Sequence, residues 1–116
     1  MEQKQVTLRE LIVTLSDAKP EEVVAVSIQN KVRGRQTPDE PTTLYQGKNV
    51  DEILNRSFML WVDSKGKYGG DGYDLPHFNF WTRRKAYFTR CDDENDYFEI
   101  CGIPRNPCSK MPLTLN

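Results

Sequence analysis

Eight residues in one short stretch combine side chains suited to strong surface contacts: Phe78, Phe80, Trp81, Arg83, Arg84, Lys85, Tyr87 and Phe88. Guanidinium groups form paired, charge-assisted hydrogen bonds with carboxylates and phosphates. Aromatic rings stack on bases or anchor in an apolar pocket. The cluster therefore suits an acidic protein surface or a nucleic-acid backbone. The same pattern also describes a core strand entering a solvated corner, with rings inward and cations outward. In a regular strand successive side chains alternate, so Arg83 and Lys85 would share a face with Tyr87 while Arg84 takes the other. The candidate partner-binding residues are thus Trp81, Arg83, Arg84, Lys85 and Tyr87. A smaller basic group, Lys31, Arg33 and Arg35, would extend this positive face if the fold brought the two together, with the acidic turn at residues 92–96 opposing it.

Other chemistry finds less support. Gly66-Lys67-Tyr68-Gly69-Gly70-Asp71-Gly72 invites comparison with a phosphate loop. It lacks the G-x-x-x-x-G-K-[ST] order and the helix that must follow, and reads as a flexible connection. Asp92, Glu94, Asp96 and Glu99 space out carboxylates. A calcium loop counted from Asp92 has Tyr97 where glycine is needed and Ile103 where the bidentate glutamate belongs. Counted from Asp63, Lys65 and Lys67 fall on ligand positions. His77, Cys91, Cys101 and Cys108 do not form the close pairs that zinc sites use. His77 is the sole histidine, and Cys91 beside Arg90 does not complete a nucleophile, base and orienting group. The expectation is no metal, no cofactor and no catalysis. The enzyme alternative is an accidental carboxylate pair among the 17 acids.

These residues need a scaffold. The chain has 116 residues, enough for one core. Its formal net charge of −1 lacks the strongly basic balance of most nucleic-acid modules. A polar start, an odd set of three cysteines and apolar runs far too short to span a bilayer point to the cytoplasm and away from membranes.

Leu8, Leu11, Ile12 and Leu15 form one helical stripe, with Thr7 and Glu10 as a capping box. Residues 23–28 and 42–46 read as strands. Asn49 is placed to cap a second helix carrying Val50, Ile53 and Leu54. Residues 58–62 are apolar on both faces and predict a central strand covered on both sides, with the first helix on one of them. A glycine loop spans 63–76, and a hairpin of residues 85–91 and 97–103 closes the domain. The predicted fold is α+β: one small domain, residues 1–103, with two short helices and a mixed or antiparallel sheet of about five strands. Residues 104–116 read as an extended or disordered tail.

Thr7-Leu8-Arg9-Glu10-Leu11-Ile12, Pro20-Glu21-Glu22-Val23-Val24-Ala25-Val26 and Leu44-Tyr45-Gln46-Gly47 carry a resemblance over residues 7–62. This half resembles the opening of small phage and prophage accessory proteins, with a capped helix, a proline-acidic turn and a valine-rich strand. Some such proteins are inhibitors of host defence, including anti-CRISPR proteins. The resemblance implies a non-catalytic, stoichiometric inhibitor of a host defence nuclease complex. Its partner would be a larger host protein or protein–nucleic acid complex in the host cytoplasm. The alternative is a small nucleic-acid-binding module using the aromatic–basic patch.

Overall fold

Helix α1 (Leu8–Leu15) begins where the capping signal places it: Thr7 Oγ1 accepts from the Glu10 backbone N–H at 3.1 Å. Leu8, Leu11 and Ile12 are buried, as their spacing requires. Ser16 ends the helix. Its backbone N–H and its hydroxyl both donate to the Ile12 carbonyl, at 3.1 and 2.6 Å, and its Oγ accepts from the Ala18 N–H. Strand β1 (Glu2–Thr7) leads into this helix, and the Glu10 carboxylate accepts from Lys4 Nζ on that strand at 3.2 Å. Helix α2 (Val50–Leu54) buries Val50, Ile53 and Leu54. Asn49 makes no side-chain cap; a 3-10 turn, Gly47–Asn49, leads into the helix instead. Arg9 bridges the helices, reaching Asp51 at 3.5 Å and Asn55 at 3.4 Å.

The computed structural model describes residues 2–31, 42–69, 75–92 and 97–104. The expected loop tip with Arg33 and Arg35, part of the glycine loop, most of the acidic turn, and the tail beyond Pro104 with Cys108 lie outside the described residues.

The remaining strands are β2 (Ala25–Lys31), β3 (Thr43–Gln46), β4 (Ser57–Val62), β5 (Tyr68–Gly69), β6 (Leu75–Trp81), β7 (Lys85–Asp92) and β8 (Tyr97–Pro104). The protein is α+β, and every strand pairing is antiparallel. The order is β1-β4-β5-β8-β7-β6-β2-β3. It divides into a three-stranded part and a five-stranded part, joined among the described residues by one residue pair, Gly69 opposite Tyr97. Sequence patterning missed β1 and β5, and offered β6 only as the core-strand alternative to a surface patch. Glu2–Thr7 contains one apolar residue, Val6, so it has no alternation to detect; its pairing with β4 supplies what propensity does not.

Both helices contribute to one core, with Val6, Leu60 and Tyr68 from the three-stranded part and Val26, Ile28, Phe78, Phe80 and Tyr87 from the other. The expectation of a central, doubly covered strand at residues 58–62 is corrected. β4 lies between the edge strand β1 and the two-residue β5, and Leu60 is its only buried residue. Met59, on the opposite face, is 58% exposed, and Trp61 is half-buried. Two apolar faces did not mean two covered faces. No helix among the described residues is long and apolar enough to cross a membrane.

Candidate functional site

The aromatic–basic stretch folds as the β6–β7 hairpin, and its turn decides where each side chain goes. Trp81 lies opposite Ala86, and Phe80 opposite Tyr87. Between the strands, Thr82 organises the turn. Its backbone N–H donates to the Lys85 carbonyl at 2.9 Å, and its Oγ1 accepts from the N–H groups of Arg84 at 3.2 Å and Lys85 at 3.1 Å. Threonine suits this position because its short hydroxyl reaches backbone donors two and three residues on. Arg83 and Arg84 therefore form the tip, and both are exposed. Among the described residues neither has an ion-pair partner.

The expected strand alternation fails here because Arg83 is in the turn. Lys85 and Tyr87 do share a face, but it is the core face. Tyr87 is 4% exposed and stacks on Phe80 with centroids 4.5 Å apart and planes 3° from parallel. Phe78 continues the row, its centroid 5.9 Å from that of Phe80. Trp81 is 5% exposed on the other face, between Ala25 and Ala86. Neither ring is displayed beside the arginines. Of the five expected contact residues, the structure brings Arg83 and Arg84 to the surface, half-buries Lys85, and places Trp81 and Tyr87 inside.

Asp17 explains the position of Lys85. Just beyond α1, its carboxylate accepts from Lys85 Nζ and, at 2.9 Å, from the Tyr87 hydroxyl. Lys85, followed by Tyr87, holds the Asp17 carboxyl below the usual carboxylate range. Burial, followed by the Asp17 hydrogen bond, pushes the Tyr87 phenol up to about 12. The carboxylate thus neutralises one of the three consecutive cations and fixes the hairpin to the helix. Sequence reasoning missed Asp17, which lies 70 residues from Tyr87 with no local pattern linking them.

A second carboxylate has a similar structural use. Asp63 Oδ1 accepts from the N–H groups of Lys65 at 2.8 Å and Lys67 at 2.9 Å, closing the β4–β5 turn around Gly66, whose φ is +81°. Only glycine adopts that backbone readily. These bonds, the Lys67 N–H foremost, lower the Asp63 pKa, and the Tyr97 hydroxyl adds to the effect. Across β6 and β7, the Thr89 hydroxyl accepts from the Phe78 N–H at 3.2 Å and donates to its carbonyl at 3.1 Å. It satisfies both backbone groups where the regular ladder ends at Asn79 opposite Phe88.

Among the described residues no three His, Cys, Asp or Glu side chains gather as a metal site. Of the zinc candidates, Cys101 is a half-buried free thiol on β8. No family model, curated protein or solved structure matches the chain.

Proposed function

We propose that the protein is a non-catalytic binding protein whose contact with an acidic protein surface centres on Arg83 and Arg84. The observation carrying this reading is the hairpin tip: two exposed guanidinium groups on a turn fixed by Thr82, beside a lysine already neutralised by Asp17. A fixed turn loses little backbone freedom on binding, so more of the interaction energy remains as affinity. The burial of Trp81 and Tyr87 favours a protein partner over nucleic acid, because neither ring is presented for base stacking. The narrower reading, a phage or mobile-element inhibitor of a host defence nuclease complex, draws on the resemblance of residues 7–62. It adds a partner that is large and stoichiometric.

Capture from bacterial lysate with the wild-type protein and an Arg83→Glu/Arg84→Glu variant tests this reading. The expected result is a partner held one-to-one by the wild type and lost from the variant. Equal capture by both would overturn it. Recovery of mixed nucleic acid, lost steeply as salt is raised, would replace it with the nucleic-acid alternative.

A further inference from the structure

Among the described residues the sheet has two terminal edges and one internal edge, beside β8, and they differ in protection. β1 carries Glu2 and Lys4, and β3 has only four residues; charge and shortness are usual defences against unwanted strand pairing. β8 is paired with β7 along its length. On its other side, among the described residues, its only strand partner is Gly69, opposite Tyr97. Residues 100–104 continue past that pair as Ile-Cys-Gly-Ile-Pro, with no charge.

Solvent exposure supports an open edge there. The nearest Tyr87 ring carbon is 3.0 Å from where a Cβ on Gly102 would sit, so that ring covers one face of Gly102. β7 occupies one side. Gly102, which has no side chain to offer, is nevertheless exposed, so its backbone meets solvent. In an antiparallel strand, alternate residues turn their N–H and C=O groups away from a given neighbour.

We propose that residues 100–104 of β8 take an extended segment of a partner protein as an added antiparallel strand, uncharged along β8 and bearing carboxylates at its N-terminal end. β5 already runs antiparallel to β8, and the incoming segment follows the same direction. The β4–β5 turn limits it at the lower end. At the upper end Pro104 lies opposite Lys85, next to the Arg83–Arg84 tip, which accounts for the carboxylates. Five residues span about 17 Å at about 3.4 Å each. That suits a peptide segment, whereas a second copy paired through this edge alone would bury far less than the roughly 800 Å² per partner of a stable interface. This proposal rests on the acidic-partner reading for its charged end but not for its strand pairing.

The test uses the full chain, assigned amide NMR spectra and three blocked peptides. The first carries two glutamates followed by five alternating valines and threonines. The second replaces the glutamates with lysines. The third keeps the glutamates but is N-methylated throughout its strand portion, which removes its backbone donors. The first should bind with amide shifts at residues 100–104, while the second and third each bind at least about tenfold more weakly, a difference of about 1.4 kcal/mol. The variant Ile103→Glu, which places a carboxylate at an exposed position beside the incoming glutamates and should spare the fold, should weaken the first peptide similarly.

Full binding by the N-methylated peptide would overturn strand addition and leave the arginine reading standing. Equal binding by the lysine peptide would overturn the arginine reading and the charged end of this proposal, leaving strand addition alone. No shift at residues 100–104 with the first peptide at millimolar concentration would overturn the proposal. The same shifts arising from protein concentration alone would also overturn it, assigning the edge to a second copy.

Discussion

The two long strands β4 and β6, one in each part of the sheet, bury their aromatic residues to different extents. In the five-stranded part, Phe78, Phe80 and Tyr87 form a stacked row inside the core, and Trp81 on the other face is also buried. In the three-stranded part Tyr68 is buried on β5, but along β4 Phe58 only borders the core, Trp61 is half-buried and Met59 is largely exposed. Both stretches are rich in large apolar residues, although His77 and Asn79 interrupt β6 where β4 is apolar from Phe58 to Val62. Neighbours decide the difference. β6 lies between two long strands, whereas β4 has an edge strand on one side and a two-residue strand on the other. Stability should therefore concentrate in the five-stranded part.

The sharpest way to break this comparison is a pair of truncations. Phe80→Ala removes a fully buried ring from the centre of the stacked row and should cost about 3–5 kcal/mol. Trp61→Ala removes a larger but half-exposed ring and should cost about half as much or less, because its apolar surface is only partly withdrawn from water. Denaturant unfolding of both variants measures the difference. Equal losses would show that the three-stranded part contributes as much to the core as the five-stranded part.

What the sequence revealed follows the same division. Helix α1 was legible because its stripe and its cap are local. The β7–β8 hairpin was legible because its strands are close in sequence. β1 was hidden by its polar composition, and β6 stayed open between a contact surface and a core strand because Arg83, Arg84 and Lys85 follow it directly. For the site, the exposed arginine tip was legible as a run of cations. The burial of Trp81 and Tyr87 was one of two readings and nothing local decided it, because it depends on Ala25 and Asp17, distant in sequence. Composition indicated which residues carry charge, while only the turn at Thr82 determines which display it.

Gly102→Ala probes the junction between Tyr87 and the open edge of β8. The new methyl group would sit 3.0 Å from one Tyr87 ring carbon and 3.2 Å from another. That ring is held by its stack on Phe80 and by Asp17, so it cannot tilt without losing one of them. Overpacking costs about 1–3 kcal/mol, offset by about 0.4–1 from the reduced freedom of the unfolded chain, for a net loss of roughly 1–2 kcal/mol. A neutral or stabilising result would show that the ring is loosely held. Combining Gly102→Ala with Tyr87→Leu should then remove most of the penalty.

Tyr87→Phe keeps the ring and removes its bond to Asp17, at a cost of about 1 kcal/mol near neutrality. Its clearer signature is pH dependence. The Tyr87 pKa is raised by folding to about 12, so the phenol's contribution is full below its ordinary value and lost as pH rises through the folded value. Wild-type stability should therefore decline more steeply than that of Tyr87→Phe between about pH 10 and 12. The Asp17 carboxyl is shifted the other way, so its contribution is present above its unfolded pKa and lost on acidification through the lower folded value. Asp17→Asn should flatten that acid limb. Parallel curves for wild type and variants would show that the Asp17–Lys85–Tyr87 contact does not hold the helix to the hairpin in solution.

The smallest expected effect on stability belongs to the residues assigned the largest role in binding. Arg83→Glu/Arg84→Glu changes two exposed side chains on a turn held by the Thr82 hydroxyl and backbone bonds, neither of which uses the arginine side chains. Surface substitutions of this kind usually stay within about 0.5 kcal/mol. The charge reversal also adds two carboxylates near Asp17 and introduces some repulsion, but salt screens such exposed charges. Unfolding curves at low and moderate salt should therefore nearly coincide with wild type, any gap closing as salt increases. A loss above about 1 kcal/mol that persists at high salt would assign the arginines a structural role and weaken their place in the proposed interface. Preserved stability with binding lost in the same variant would separate the two parts of the comparison cleanly: a five-stranded scaffold rigid enough to tolerate charge reversal at its tip, and a tip whose charge serves the partner.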